Sequence, residues 1–268
     1  MSSTAHRVRR PPIVLLVAGV AAIALLALPL VGLVARVTWS TLGSDLTSPA
    51  ARDALRLSLV CSLWATGLSV VLGLPLAWLL ARTEFRGKSV VRAVTVLPLV
   101  LPPVVGGVAL LLAFGRDGIL GRPLFDGFGI QFTFATAGVV LAETFVAMPF
   151  LIVTVEAGLQ VMDVRFEEVA SSLGAGRWAT FRLVTVPMIS SSLIAGVALT
   201  WARALGEFGA TITFAGDIQG RTQTLPLAVY LALEGNERVA VALSFLLLVV
   251  SFAVLVALRG RWLGAVRR

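Results

Sequence analysis

Groups that do chemistry are scarce in this chain. It has one cysteine and one histidine in 268 residues. The lone Cys61 excludes an intrachain disulfide; it lies inside an apolar run and reads as a small apolar filler. The lone His6 is close to the N-terminus, and no H-E-x-x-H or G-x-S-x-G occurs, nor paired aspartates within an apolar run. These absences argue against an enzyme, a membrane-embedded one included. G-x-x-x-x-G-K-[ST] is missing too, so the chain cannot cradle a nucleotide phosphate in the P-loop manner. Charge is equally sparse: 13% of residues are charged and 58% hydrophobic, with a mean hydropathy of +0.96. Soluble domains carry roughly a quarter charged residues, and a chain of this length could not bury so large an apolar excess. Lipid is the natural solvent for it.

The positions of the missing charges define the architecture. Residues 11–35, 57–81, 93–115, 183–202 and 239–258 carry no charge. Each run is at least as long as the roughly 20 residues that cross a hydrocarbon core as a helix. A sixth run, between Asp126 and Glu156, qualifies if Glu143 is tolerated inside. None alternates as barrel strands would. The expected fold is all-α and membrane-integral, one transmembrane domain over 1–268, with about six spans near 12–36, 55–81, 92–114, 132–155, 187–210 and 238–258. No repeat or low-complexity segment divides it.

Fourteen of the 22 Lys and Arg residues fall in the N-terminus, the 82–92 loop, the 156–187 loop and the C-terminal tail. Basic loops stay cytoplasmic, so both termini are expected inside the cell. The net charge of +8 does not point to nucleic acid, because the basic residues flank apolar runs rather than forming one face. The first apolar run is longer than a signal-peptide core and no small-residue cleavage site follows, so a retained first helix is expected. Gly73, Pro75, Pro98, Pro102, Pro103 and Pro149 fall within spans. They are either kinks for packing or bends that shape a pathway. The outer segment 115–131 is glycine-rich and irregular.

One loop stands apart. Residues 156–187 are too polar for a span and too long for a plain connection. Asp163 is placed to cap a helix and Gly174 to end it. Between them Phe166, Val169, Ala170 and Leu173 recur at i, i+3, i+4 and i+7, giving one apolar stripe. A second short amphipathic piece follows with Trp178, Phe181 and Val184, and Pro187 opens the next span. Such a helix lies on a membrane surface or fits a partner's groove.

Glu168-Val169-Ala170, three residues, Gly174, nine residues and Val184-Thr185-Val186-Pro187 resemble the EAA loop of ABC importer permeases. Val169 stands where the pattern has alanine, and Val-Thr-Val-Pro replaces I-x-L-P. The resemblance implies a type I importer permease fold (MetI-like) in the cell membrane. It also implies an ATPase-coupling role for Phe166, Glu168, Val169, Ala170, Leu173, Gly174 and Pro187. A cytoplasmic ABC ATPase dimer would bind ATP and Mg, with no cofactor in this chain. A second copy of the chain and an extracytoplasmic oxyanion-binding protein would complete the assembly.

The stretch 202–233, ARALGEFGATITFAGDIQGRTQTLPLAVYLAL, resembles the molybdate and sulfate permease group, its second half more closely the molybdate members. Import of molybdate and tungstate is therefore expected, with sulfate or thiosulfate as the alternative. An ion-coupled secondary transporter, which would use Glu143, Arg203 and Glu207, leaves the 156–187 loop unexplained. Arg203 and Glu207 are four apart, and either pair with each other or, with Thr200, Thr211 and Thr213, line an anion path. Glu143 is either hydrogen-bonded within the bundle or part of a gate.

Overall fold

The computed structural model describes residues 12–266, so His6, the basic N-terminal residues Arg7, Arg9 and Arg10, and Arg267 and Arg268 lie outside it. Among the described residues all regular structure is helical. The first helix, α1 (Ile13–Ala35), is apolar all round and buries no residue; it packs on the last helix, α14 (Glu237–Val266). A short helix, α2 (Trp39–Leu46), leads into α3 (Pro49–Arg82). Ser48 caps α3, its hydroxyl accepting the Ala51 N–H at 3.3 Å, and Pro49 opens the first turn, where its missing N–H costs nothing.

The expected span at 92–114 is two helices, α4 (Lys88–Val100) and α5 (Pro103–Phe114). Leu101, pushed out of helical geometry by the proline after it, is extended at ψ 134°, and neither Pro102 nor Pro103 has an N–H to continue the ladder. After α6 (Gly121–Phe128) comes α7 (Thr136–Val161), the axis of the bundle. Of its most apolar stretch 61% is buried, against 39% for α3 and none for α1. It packs along α3 and α11 (Ser190–Leu205), and at its ends meets α4, α5 and α12 (Gly209–Phe214).

The loop after α7 holds α8 (Arg165–Ser172), α9 (Arg177–Thr180), a π-helical turn Phe181–Thr185 and α10 (Val186–Met188). The chain bends by 76° at Ile189 into α11. Among the described residues four helices are long and apolar enough to cross a membrane, and a fifth span is counted if this bent pair is one. Between α12 and α14 the chain forms a further helix, α13 (Leu225–Gly235). Leu225 and Leu227 are fully buried, because α13 packs on α3 and α14 as a short apolar helix rather than running free.

Within lipid, apolar area does not drive helices together; close packing of small residues does. The interior follows that rule. Ala65 of α3, Ala147 of α7 and Ala204 of α11 meet in one fully buried cluster, and Ala142 meets Ala210 in another. A Cβ on Gly107 would lie 2.7 Å from Thr213 Cβ and 2.9 Å from the Ala210 carbonyl oxygen, so α5 and α12 touch backbone to backbone. Gly209 is used the same way, 2.8 Å from Pro103 Cβ by the same measure. Arg82, the end of α7 and the α8–α10 loop gather at one end of this bundle.

Candidate functional site

The loop is built around α8. Asp163 accepts the Arg165 N–H at 2.9 Å, the capping bond expected of it. Gly174 closes the helix at φ 84°, where its N–H reaches the Ser171 carbonyl and the Ala175 N–H the Ala170 carbonyl, each at 3.0 Å. That pair of bonds is a Schellman motif, and a side chain at Gly174 would be strained there. Nothing on α8 is buried: Phe166 is 52% exposed, Val169 57% and Leu173 83%, with Ala170 half-buried. The apolar stripe faces away from the bundle. Glu168 is exposed as well, and its carboxylate has no ion-pair or hydrogen-bond partner among the described residues. Pro187 is exposed in α10. With no N–H, it cannot bond the fourth carbonyl back, and the chain widens to a π turn just before it.

The residue that anchors α8 is the neighbouring Glu167, which sequence reasoning passed over. Its Oε2 lies 3.1 Å from Arg82 Nε at the end of α3, and its Oε1 accepts the Thr185 hydroxyl at 2.5 Å. Both charged side chains are largely enclosed, and Thr185 is fully buried. Arg82 also donates to the Met162 carbonyl at 3.4 Å. No local signal pairs Glu167 with an arginine 85 residues earlier. A second tether is aromatic: Trp178 stacks on Phe181 at 5.6 Å, and Phe181 meets Trp78 of α3 edge-on at 6.5 Å. Close by, Arg92 of α4 pairs with the buried Glu156 of α7, which also accepts from Gln160 at 3.2 Å.

The charged residues inside the bundle occupy the seam of α7, α11 and α12. Arg203 Nη2 is 2.6 Å from Glu207 Oε2, and Glu207 Oε1 accepts the Ala210 N–H at 2.8 Å. Glu207 thus does two jobs where the chain breaks between α11 and α12: it neutralises Arg203 and caps α12. Thr213 donates to the Gly209 carbonyl at 2.8 Å and faces Gly107. Glu143, Thr200 and Thr211 are fully buried, and Glu143 Oε2 and both threonine hydroxyls have no hydrogen-bond partner. The structure places Glu143 in α7, Thr200 and Arg203 in α11, Glu207 at the break after it, and Thr211 and Thr213 in α12, which packs on both α5 and α7. No group of three or more metal-ligating side chains occurs among the described residues.

Comparison with known proteins agrees with this layout. Residues 69–265 match the family described as "Binding-protein-dependent transport system inner membrane component". The chain is 45% identical over 242 residues to the molybdenum transport system permease protein ModB of Mycobacterium tuberculosis, covering 90% of this chain and 91% of that one. It is also 45% identical over 178 residues to the sulfate transport system permease protein CysW of Synechococcus elongatus, covering 66% and 62%. A crystal structure of a bacterial alginate ABC transporter, in complex with an alginate pentasaccharide-bound periplasmic protein, has a chain of the same fold. The TM-score is 0.71 at 17% identity, over 91% of this chain and 90% of that one. A bundle of apolar helices with an exposed amphipathic helix at one end, matched over most of its length by such permeases, belongs to the binding-protein-dependent transport system inner membrane component family.

Proposed function

We propose that the chain is the membrane-spanning subunit of an ABC importer that admits molybdate, and tungstate with it, driven by ATP hydrolysis in a separate subunit. The observation that carries the reading is α8, a helix capped at both ends that presents Phe166, Val169 and Leu173 outward. An isolated helix of eight residues does not hold itself together in water; here its caps, the Arg82–Glu167 pair and the aromatic tether fix its shape while its apolar stripe stays free. A preformed apolar stripe of this kind suits a groove on a partner. That partner is an ATPase dimer binding ATP and Mg, each of two copies of this chain offering one α8. Phe166, Val169, Ala170 and Leu173 fill the groove, Glu168 supplies the exposed charge beside it, and Gly174 and Pro187 set the turn and the bend behind it. Both termini and the 156–187 loop lie in the cytoplasm, by the distribution of basic residues.

Thr200, Arg203, Glu207, Thr211, Thr213 and Glu143 line or gate the anion's route. A cation and hydroxyls suit a tetrahedral dianion, provided that no site holds it tightly enough to stall it. An extracytoplasmic binding protein delivers the anion. Molybdate is favoured over sulfate because the likeness to molybdenum permeases reaches 45% identity over 90% of the chain, whereas that to sulfate permeases is 45% over 66% or 36% over 78%. The deciding test is ATP hydrolysis by the reconstituted complex with molybdate, tungstate, sulfate or no anion. Stimulation by molybdate and tungstate alone is expected. Stimulation by sulfate keeps the mechanism and changes the substrate, and failure of any ATPase to associate ends the importer reading.

A further inference from the structure

Most helices of this bundle are held by small apolar residues in close contact, but α8 is not. It buries nothing, and its main contacts with the rest of the chain are to its neighbours α9 and the π turn, and through one polar junction. Resting on the transport reading above, we propose that Arg82, Glu167 and Thr185 form a latch carrying movement of α8 into α3 and the α10–α11 bend. Glu167, rather than Glu168, is thus the residue that positions the coupling helix on its own chain.

Three segments converge there. Arg82 is the last residue of α3, Glu167 is in the first turn of α8, and Thr185 ends the π turn two residues before Pro187. Glu167 uses both oxygens, one at 3.1 Å from Arg82 Nε and one at 2.5 Å from the Thr185 hydroxyl. The Arg82 and Glu167 side chains are 10% and 16% exposed, so water competes little for the contact. The Thr185 bond is directional and the Arg82 contact is an enclosed ion pair; together they transmit displacement, whereas a solvated contact slips. π turns recur at functional positions in helices, and this one ends on a latch residue.

The test uses the full complex with its ATPase and binding protein in proteoliposomes, and reads molybdate uptake per ATP hydrolysed. Glu167→Ala removes both contacts, Glu167→Gln removes only the charge, and Thr185→Val only the hydroxyl bond. Glu167→Ala is expected to keep the ATPase bound and hydrolysing while uptake per ATP falls about fivefold. Glu167→Gln and Thr185→Val should fall between it and the wild type, and the swap Arg82→Glu with Glu167→Arg should recover part of the loss. Hydrogen exchange of residues 165–173 should quicken in Glu167→Ala, with α7 unchanged. Unaltered uptake per ATP in Glu167→Ala overturns the latch. So does loss of uptake in step with loss of bound ATPase, which would make the contact a structural prop. A wild-type complex that takes up none of molybdate, tungstate and sulfate instead overturns the transport reading, and the latch's role with it.

Discussion

Arg203 and Glu207 illustrate how one pair of residues serves two ends of a break. The pair forms at 2.6 Å, with Glu207 only 1% exposed and Arg203 27%. A carboxylate so enclosed depends on its cation, because removing one member of a buried pair leaves the other charged and unsolvated. Arg203→Ala is therefore expected to lower the stability of the purified chain by about 3 kcal/mol, with Glu207→Gln in the same chain restoring most of it. Thermal unfolding in detergent checks this. A stable Arg203→Ala that merely fails to transport would assign Arg203 to the anion path rather than to the fold. At Glu167 and Glu168, two identical neighbours have opposite surroundings: one is spent inside the chain, the other faces out unpaired.

At the scale of the element, α8 owes its shape to its caps and its tethers, and its free face to the absence of any packing partner in this chain. Reversing the charge of the exposed Glu168 should therefore leave the helix folded and change only what it meets. Glu168→Lys is expected to reduce ATP-driven uptake while the chain still reaches the membrane in wild-type amount. Transport assays on membranes with matched permease content measure it, and undiminished uptake would count against contact between this face and the ATPase. Elsewhere, breaks rather than unbroken spans shape the elements. Two prolines in a row divide α4 from α5, and Gly206–Phe208 divides α11 from α12, so that Gly107 and Gly209 bring the two short halves into backbone contact. Short half-helices can shift against one another without unfolding a whole span, which suits an element that must move.

Of the expected pathway residues, Glu143, Thr200, Glu207 and Thr211 are fully buried against neighbouring helices. A conduit past them needs either movement within the chain or a surface shared with another, and a second copy is the simplest such surface. The assembly purified with its ATPase is expected to contain two copies of the chain, read from its mass by light scattering corrected for detergent. A single copy per assembly would require the route to open within one chain. The apolar exterior is consistent with both lipid and a partner: α1 is exposed along most of its length, with Leu25 75% and Leu26 73% exposed.

Much of this protein is decided by local composition. A charge-free run long enough to cross a bilayer has one low-energy form in lipid, a helix with its backbone bonds closed, so α1, α3 and α14 were legible from missing charges alone, and α7 once Glu143 is allowed inside. Asp163 and Gly174 were legible because capping depends on residues a few positions apart, and the pairing of Arg203 with Glu207 because four residues make one helical turn. Tertiary packing alone decided the rest. Prolines at 98, 102, 103 and 149 all fell within expected spans, yet only the consecutive pair at 102 and 103 separates two helices; Pro98 and Pro149 stay inside α4 and α7, where the ladder continues around them. The short apolar run at 225–235 became a packed helix because α3 and α14 cover it. Glu167 found Arg82, 85 residues away, because folding brought the end of α3 to α8; a single sequence carries no sign of such a distance.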